Sequence, residues 1–266
     1  MMTTNFFSLL CSGWLLVAVM MAVLWLVQRI RRDAGVVDVG WSAGLGILAI
    51  FYGLTASGYP PRRFLVAAMA GLWAFRLATY LLYNRVLGKP EDGRYQTLRQ
   101  HWGARAQPYF FLFFQAQALL DVIFSLPFLV VASNPRVMFS GWEVAGVLVW
   151  LLAIGGESLA DWQLARFRAD AKNRGKTCRV GLWRYSRHPN YFFEWLHWWS
   201  YVLMAIGVPY WWLTLIAPTL MLYLLFKVTG IPATEAQAVA SRGDDYRAYQ
   251  RTTSAFIPWF PQKEAS

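Results

Sequence analysis

The sequence predicts an all-α integral membrane protein, a bundle of seven transmembrane helices folded as one domain over 1-266. Three observations predict it. Of the 266 residues, 57% are hydrophobic and only 15% charged, whereas a soluble domain carries roughly 45–50% and about 25%. Apolar stretches able to cross a hydrocarbon core of about 30 Å run near 6-27, 36-56, 63-84, 108-132, 141-163, 191-208 and 209-229. The basic residues are sorted between alternate loops, as the positive-inside rule requires of a multi-pass chain.

The first stretch has no basic residue before it and runs without a charge into Gln28-Arg29-Ile30-Arg31-Arg32. That pattern is a membrane anchor with a positive stop, not a cleaved leader. The second stretch opens at Asp38, and the sixth and seventh share a tight Gly207-Val208-Pro209 turn. No Gly/Ser-rich linker, charge block or repeat divides the chain, hence the single domain. Fifteen Trp and thirteen Tyr suit interfacial belts, where amphipathic rings collect.

Of the 25 Lys and Arg, all but Arg62, Arg63, Arg76 and Arg136 fall in the loops after the first, third and fifth spans or from Lys227 onward. This places the C-terminus in the cytoplasm and the N-terminus outside. It also accounts for the net charge of +11 without nucleic acid as a partner. Cys11 lies in a span and Cys178 in a loop, so no disulfide framework is implied.

Ionisable side chains within a span cost about 2.5–3.5 kcal/mol each on insertion scales, so several at one depth call for a purpose. Asp38 opens the second span, Trp73, Arg76, Tyr80 and Asn84 lie along the third, and Asp121 is in the fourth. Positions three, four or seven apart share a helix face. Arg76, Tyr80 and Asn84 therefore form one stripe, Glu157, Asp161 and Arg168 a second, and Asn190, Glu194 and His197 a third. Together they would line one polar cavity on the cytoplasmic side, or pair off between helices, as Arg76 with Glu194.

The inventory excludes several chemistries. Three His far apart in sequence do not supply the ligand set of a metal-dependent membrane oxygenase, so no metal is expected. Neither GxGxxG after a strand, GxxxxGK[ST] nor Gly-x-Ser-x-Gly occurs. The richest segment is the basic loop before the sixth span, with Arg166, Arg168, Lys172, Arg174, Lys176, Arg179, Arg184 and Arg187. It closes in Tyr185-Ser186-Arg187-His188-Pro189-Asn190-Tyr191. Pro189 suits a first helical turn, whose free N–H groups favour anions. Arg187 and His188 add donors there, and the Asn190 amide offers both a donor and an acceptor. A phosphate-bearing cofactor would dock at such a place, and so would lipid headgroups. The tail from Asp244 through Tyr246 to Trp259 is amphipathic, fit for a lid or for a helix lying on the membrane surface.

At this segment the chain resembles the membrane steroid 5α-reductase family (3-oxo-5α-steroid 4-dehydrogenases). The likeness rests on Gly181-Leu182-Trp183, on Arg187-His188-Pro189-Asn190-Tyr191 with Glu194, and on Tyr246-x-x-Tyr249 to Phe256-Ile257-Pro258. Asp38-x-x-Trp41 and Glu91-Asp92-x-Arg94-Tyr95 are similar to the bacterial branch. The resemblance implies NADPH-dependent reduction of the C=C bond of a 3-oxo-Δ4-steroid or related lipid enone, an oxidoreductase activity on CH–CH bonds, in a bacterial inner membrane. It implies cofactor-binding roles for Arg76, Tyr80, Asn84, Asp161, Arg168, Tyr185, Arg187, His188, Asn190 and Tyr246. Catalytic positions fall to Asp38, Trp41, Trp73 and Glu194. The family's acid is a Gln-Glu pair with a Tyr, from which the Asp38 region and Trp73 depart. Besides the apolar substrate and membrane lipid no partner is expected, and the protein is expected as a monomer.

Two other readings share parts of this pattern. An isoprenylcysteine carboxyl methyltransferase-like enzyme, which binds S-adenosylmethionine, has the same Arg-His-Pro-x-Tyr helix start and a late Glu. Asn190, Arg76 and Asp161 favour the reductase. A non-enzymatic lipid-binding membrane protein is the third.

Overall fold

The structure, a computed structural model, describes residues 2–228 and 230–262. Met1, Thr229 and residues 263–266, which the predicted domain and last span also include, lie outside it. Among the described residues the secondary structure is helical throughout, with no strand. Six helices are long and apolar enough to cross a membrane: Asn5–Arg31, Val36–Thr55, Pro60–Val86, Gly93–Ala132, Gly141–Ala169 and Trp211–Arg242. The stretch near 191-208 forms a 16-residue helix, Pro189–Met204, and is not among them.

By its internal contacts the chain forms two compact units. The first comprises Met1–Phe139 with Gly207–Ile216. It contains α1 (Met2–Arg31), α2 (Val36–Thr55), α3 (Pro60–Leu81), α4 (Gly93–Trp102) and α5 (Ala106–Ala132). The turn from α1 to α2 is tight: Arg32 is left-handed at φ 55°, and Asp33 accepts from the Gly35 N–H at 2.9 Å. Pro60, at the start of α3, lacks the N–H that a first turn leaves unsatisfied anyway.

α2 packs on α1, α3 and α5 through its glycines. A Cβ at Gly46 would lie 2.8 Å from that of Ala74, and one at Gly53 2.7 Å from that of Ala67. In lipid, where apolar surface gains nothing by leaving the solvent, such close backbone approach is a main source of helix association. α5 buries Phe110, Phe114, Ala118, Asp121, Phe124 and Phe128, a helical stripe facing its neighbours. Arg62 is fully buried and donates to the carbonyls of Asn134 at 3.0 Å and Met138 at 2.9 Å. Its guanidinium lies 5.7 Å from the Tyr59 ring and 5.2 Å from that of Phe139. A residue counted in the sequence only for its charge thus fixes the loop after α5.

The second unit comprises Ser140–Ile206 and Ala217–Ser266. It holds α6 (Gly141–Ala169), α7 (Pro189–Met204), most of α8 (Ile216–Tyr223), α9 (Ile231–Arg242) and α10 (Asp244–Thr252). A capping box opens α6: Ser140 N–H donates to Glu143 at 2.8 Å, and Glu143 N–H to the Ser140 hydroxyl at 3.3 Å. α6 and α7 lie along one another, close enough that a Cβ at Gly156 would fall 2.4 Å from the Phe193 ring. The Trp183 indole donates to the Ala160 carbonyl at 2.9 Å, tying the loop before α7 to α6.

Candidate functional site

In the first unit the Glu91–Tyr95 motif folds back onto the start of α2. Asp92 caps α4, accepting from Arg94 N–H at 3.0 Å, and Glu91 accepts from Ala34 N–H at 2.8 Å and pairs with Arg99 at 2.7 Å. Burial alone would raise the Asp92 carboxyl. Its hydrogen bonds from Arg94 and the charges of Arg94 and Arg85 outweigh that and hold it below its ordinary value. Asp38 is then met from both sides: Arg94 donates to Oδ2 at 2.9 Å and the Tyr95 hydroxyl to Oδ1 at 2.6 Å. Tyr95 is buried. A carboxyl accepting on both oxygens positions its donors.

Trp73 is fully buried, with Trp41 edge-on to it at 6.4 Å and to Phe124 at 5.7 Å. Trp73 thus packs in the core among α2, α3 and α5, while Trp41 is only partly buried. Arg76 and Tyr80 are half-buried on α3. Asn84 leaves their stripe, because residues Leu82–Val86 form a π-helical turn whose wider backbone breaks the i, i+4 register. Its side chain is exposed and donates to the Tyr80 carbonyl at 2.8 Å.

In the second unit the predicted stripes of α6 and α7 do meet. The Asn190 amide donates to Asp161 Oδ1 at 3.3 Å. Glu157, one turn before Asp161, and Glu194, one turn after Asn190, are both buried. Three carboxyl side chains and an amide at one helix pair form a polar patch. Donating to Asp161 fixes the amide's orientation and leaves its carbonyl to accept from a ligand. Arg168 is not with them: it is exposed at the end of α6, two turns or about 10 Å along the axis from Asp161. His197 is buried deeper on α7, its Nε2 3.0 Å from the Tyr201 hydroxyl.

Arg187, His188, Tyr185 and Tyr246 hold the C-terminal tail. Arg187 Nε donates to Glu235 at 2.7 Å, and its Nη1 to the carbonyls of Gln250 at 2.8 Å and Thr253 at 2.6 Å. His188 Nε2 lies 3.1 Å from Glu235, and Gln250 donates to the same carboxylate at 2.7 Å. The Tyr185 carbonyl accepts from Trp259 N–H at 2.9 Å, while Tyr246 packs with Tyr249 and Ala238 in a small buried core. The Tyr249 hydroxyl donates to the carbonyls of Trp183 and Ser186. On α10, burial by itself would raise Asp245. Hydrogen bonds from Thr177 and the Arg179 charge outweigh it and lower the carboxyl. The sequence reading missed Glu235, Gln250 and Tyr95. Only Tyr95 carried a local signal, standing beside Arg94 in a motif.

Apolar crossing helices, glycine-mediated packing and a polar patch between two of the helices define a multi-pass helical membrane protein. Among the described residues no group of His, Cys, Asp and Glu could hold a metal ion. The chain belongs to the family described as protein of unknown function DUF1295, which it matches over residues 24–253. It is similar to an uncharacterized protein of Schizosaccharomyces pombe, C594.04c, at 28% identity over 220 residues. That match covers 73% of this chain and 63% of the relative, so the chain spans less than two thirds of the relative's length. No solved structure matches.

Proposed function

We propose that this protein reduces the C=C bond of a lipid enone, of the 3-oxo-Δ4-steroid type, with NADPH as hydride source. The observation that carries the reading is the Asn190–Asp161 hydrogen bond beside buried Glu194. It sets an oriented amide at the positions where the resemblance to steroid 5α-reductases implies the nicotinamide. The nicotinamide end of the cofactor fits the residues present: a carboxamide needs one acceptor and one donor, and Asn190 and Glu194 offer both kinds. For the phosphates, Arg187 and His188 are already engaged with Glu235, so the exposed Arg166, Arg168, Lys172, Arg174, Lys176 and Arg184 are the cations assigned to them. When bound, NADPH supplies the hydride that adds to the enone β-carbon.

The chain's own task is to stabilise charge on the enone oxygen and to deliver a proton to the α-carbon. Within the first unit we assign the first task to the Tyr95 phenol, whose single O–H donates to Asp38 at 2.6 Å and would turn from that carboxylate to the oxygen, a carboxylate–tyrosine pair of the kind the resemblance implies. Asp38 is then a positioning residue. Counting α7 as a crossing gives seven spans, and the sorting of basic residues then places the C-terminus in the cytoplasm. An apolar substrate enters from lipid and the charged cofactor from the basic side.

The test is thermal unfolding of the detergent-purified protein with NADPH or with S-adenosylmethionine, since a ligand of the folded state raises Tm by mass action. NADPH is expected to raise it and S-adenosylmethionine to leave it unchanged. The reverse outcome would establish the methyltransferase reading.

A further inference from the structure

The first unit contains a cavity of about 290 Å³ that the proposed reduction does not use. It lies where α1 begins and α5 ends, roofed by the Val208–Tyr210 segment. Its volume is at the lower bound for small-molecule sites, roughly 300 Å³. Phe6, Leu9 and Val130 give it an apolar wall, and among the described residues Arg136 is its only charged lining residue. Arg136 is exposed, and its Nη2 donates to the Gly207 carbonyl at 2.7 Å. The loop carrying it is fixed from beneath by Arg62, whose guanidinium spans the carbonyls of Asn134 and Met138.

The roof is strained. Tyr210 has φ 64°, a left-handed conformation that is an outlier for a bulky residue and persists only where the surroundings impose it. Its ring neighbours that of Phe6, centroids 6.3 Å apart, and both line the cavity. A held rim, one hydrogen-bonded cation, no carboxylate among the described lining residues and an apolar wall make a cavity complementary to an anionic head on a hydrocarbon chain. We propose that this cavity is a binding site for an anionic amphiphile, one acyl chain bearing a carboxylate or phosphate head at Arg136. It goes beyond the reductase reading and stands or falls separately from it.

The probe is a dansyl-labelled fatty acid titrated onto the full chain in nanodiscs of neutral phosphatidylcholine. Three proteins are compared: wild type, Arg136→Gln, and Ser57→Trp, which places an indole in the cavity from an exposed loop position. Wild type is expected to bind saturably, and Arg136→Gln about tenfold or more weaker, the loss of one charge-assisted hydrogen bond. Ser57→Trp should bind not at all while melting as wild type does. Displacement by oleate or by lysophosphatidylglycerol distinguishes a free fatty acid from a single-chain phospholipid as the source of the head. Displacement by uncharged monoolein as effective as that by oleate, or equal probe affinity in all three proteins, overturns the proposal. If Ser57→Trp melts low, the outcome is decided by Arg136→Gln and monoolein alone.

Discussion

Replacing Glu235 by Ala removes the carboxylate on which the tail is fastened. In the native protein it accepts from Arg187 Nε at 2.7 Å and Nη2 at 3.3 Å, from Gln250 at 2.7 Å, and lies 3.1 Å from His188 Nε2. Hydrogen bonds to a charged group contribute about 1.5–3 kcal/mol each, but they share one network and do not add. Arg187 also keeps the Gln250 and Thr253 carbonyls, and the pair is 11% and 13% exposed, so water reaches it. The expected loss is therefore about 2–3 kcal/mol, below the 3–5 kcal/mol of a fully buried pair. Because the tail is a late, local element, the loss should appear as local opening, about 30- to 150-fold more populated. Hydrogen exchange reads it at three amides: Arg187, bonded to Ser254, Trp259, bonded to Tyr185, and Gln262, bonded to Thr252. Glu235→Gln, which retains an acceptor, should fall between. Unchanged exchange at these amides in Glu235→Ala would show that the Tyr249 hydroxyl and the buried tyrosines hold the tail alone, and would refute the clamp.

Other outcomes follow from the same geometry. Gly44→Ala puts a Cβ 2.4 Å from Asp121 Oδ2 and should destabilise by about 1–3 kcal/mol; Gly71→Ala, with no atom nearer than 3.9 Å, should be neutral, and thermal melts in detergent compare the two. Asp245 has a lowered folded-state carboxyl. Its contribution is complete above the ordinary Asp range near pH 4 and is lost as pH falls through the lowered value; protection of the Thr177 amide, bonded to Asp245 at 2.8 Å and measured against its intrinsic exchange rate at each pH, should stay flat down to about pH 4 and fall below it, and Asp245→Asn should remove that dependence. On the proposed function, Tyr95→Phe should slow the single-turnover step at least about tenfold with NADPH affinity within about 1 kcal/mol, and Asp38→Asn should act in the same direction through Tyr95. A normal single-turnover rate in Tyr95→Phe would remove the phenol from the mechanism.

The long apolar helices were legible because lipid imposes one simple requirement, a run of about twenty residues whose backbone bonds close internally. The meeting of α6 and α7 was legible too, since Asp161 and Asn190 each sat on a stripe whose period matched a helix. Asn84 was not, because the period holds only while the helix stays α, and a π turn gives no apolar signal. Arg187 and His188 read as anion donors because local sequence supplies donors and says nothing of acceptors. Glu235 lies 48 residues away in a short polar helix, and only the tertiary fold brings it to them. Tyr95 was missed for a related reason: a side chain on the ten-residue α4 reaches Asp38 across 57 residues of sequence.

The central claim, hydride transfer to a lipid enone, is tested most directly by isotope. Purified protein is incubated with NADPH dideuterated at nicotinamide C4 and with progesterone, and the extracted steroid is weighed by mass spectrometry. The account predicts a reduced product carrying one deuterium at the enone β-carbon, with the α-carbon hydrogen drawn from solvent. Recovery of unreduced progesterone only, or a reduced product without deuterium, would contradict it.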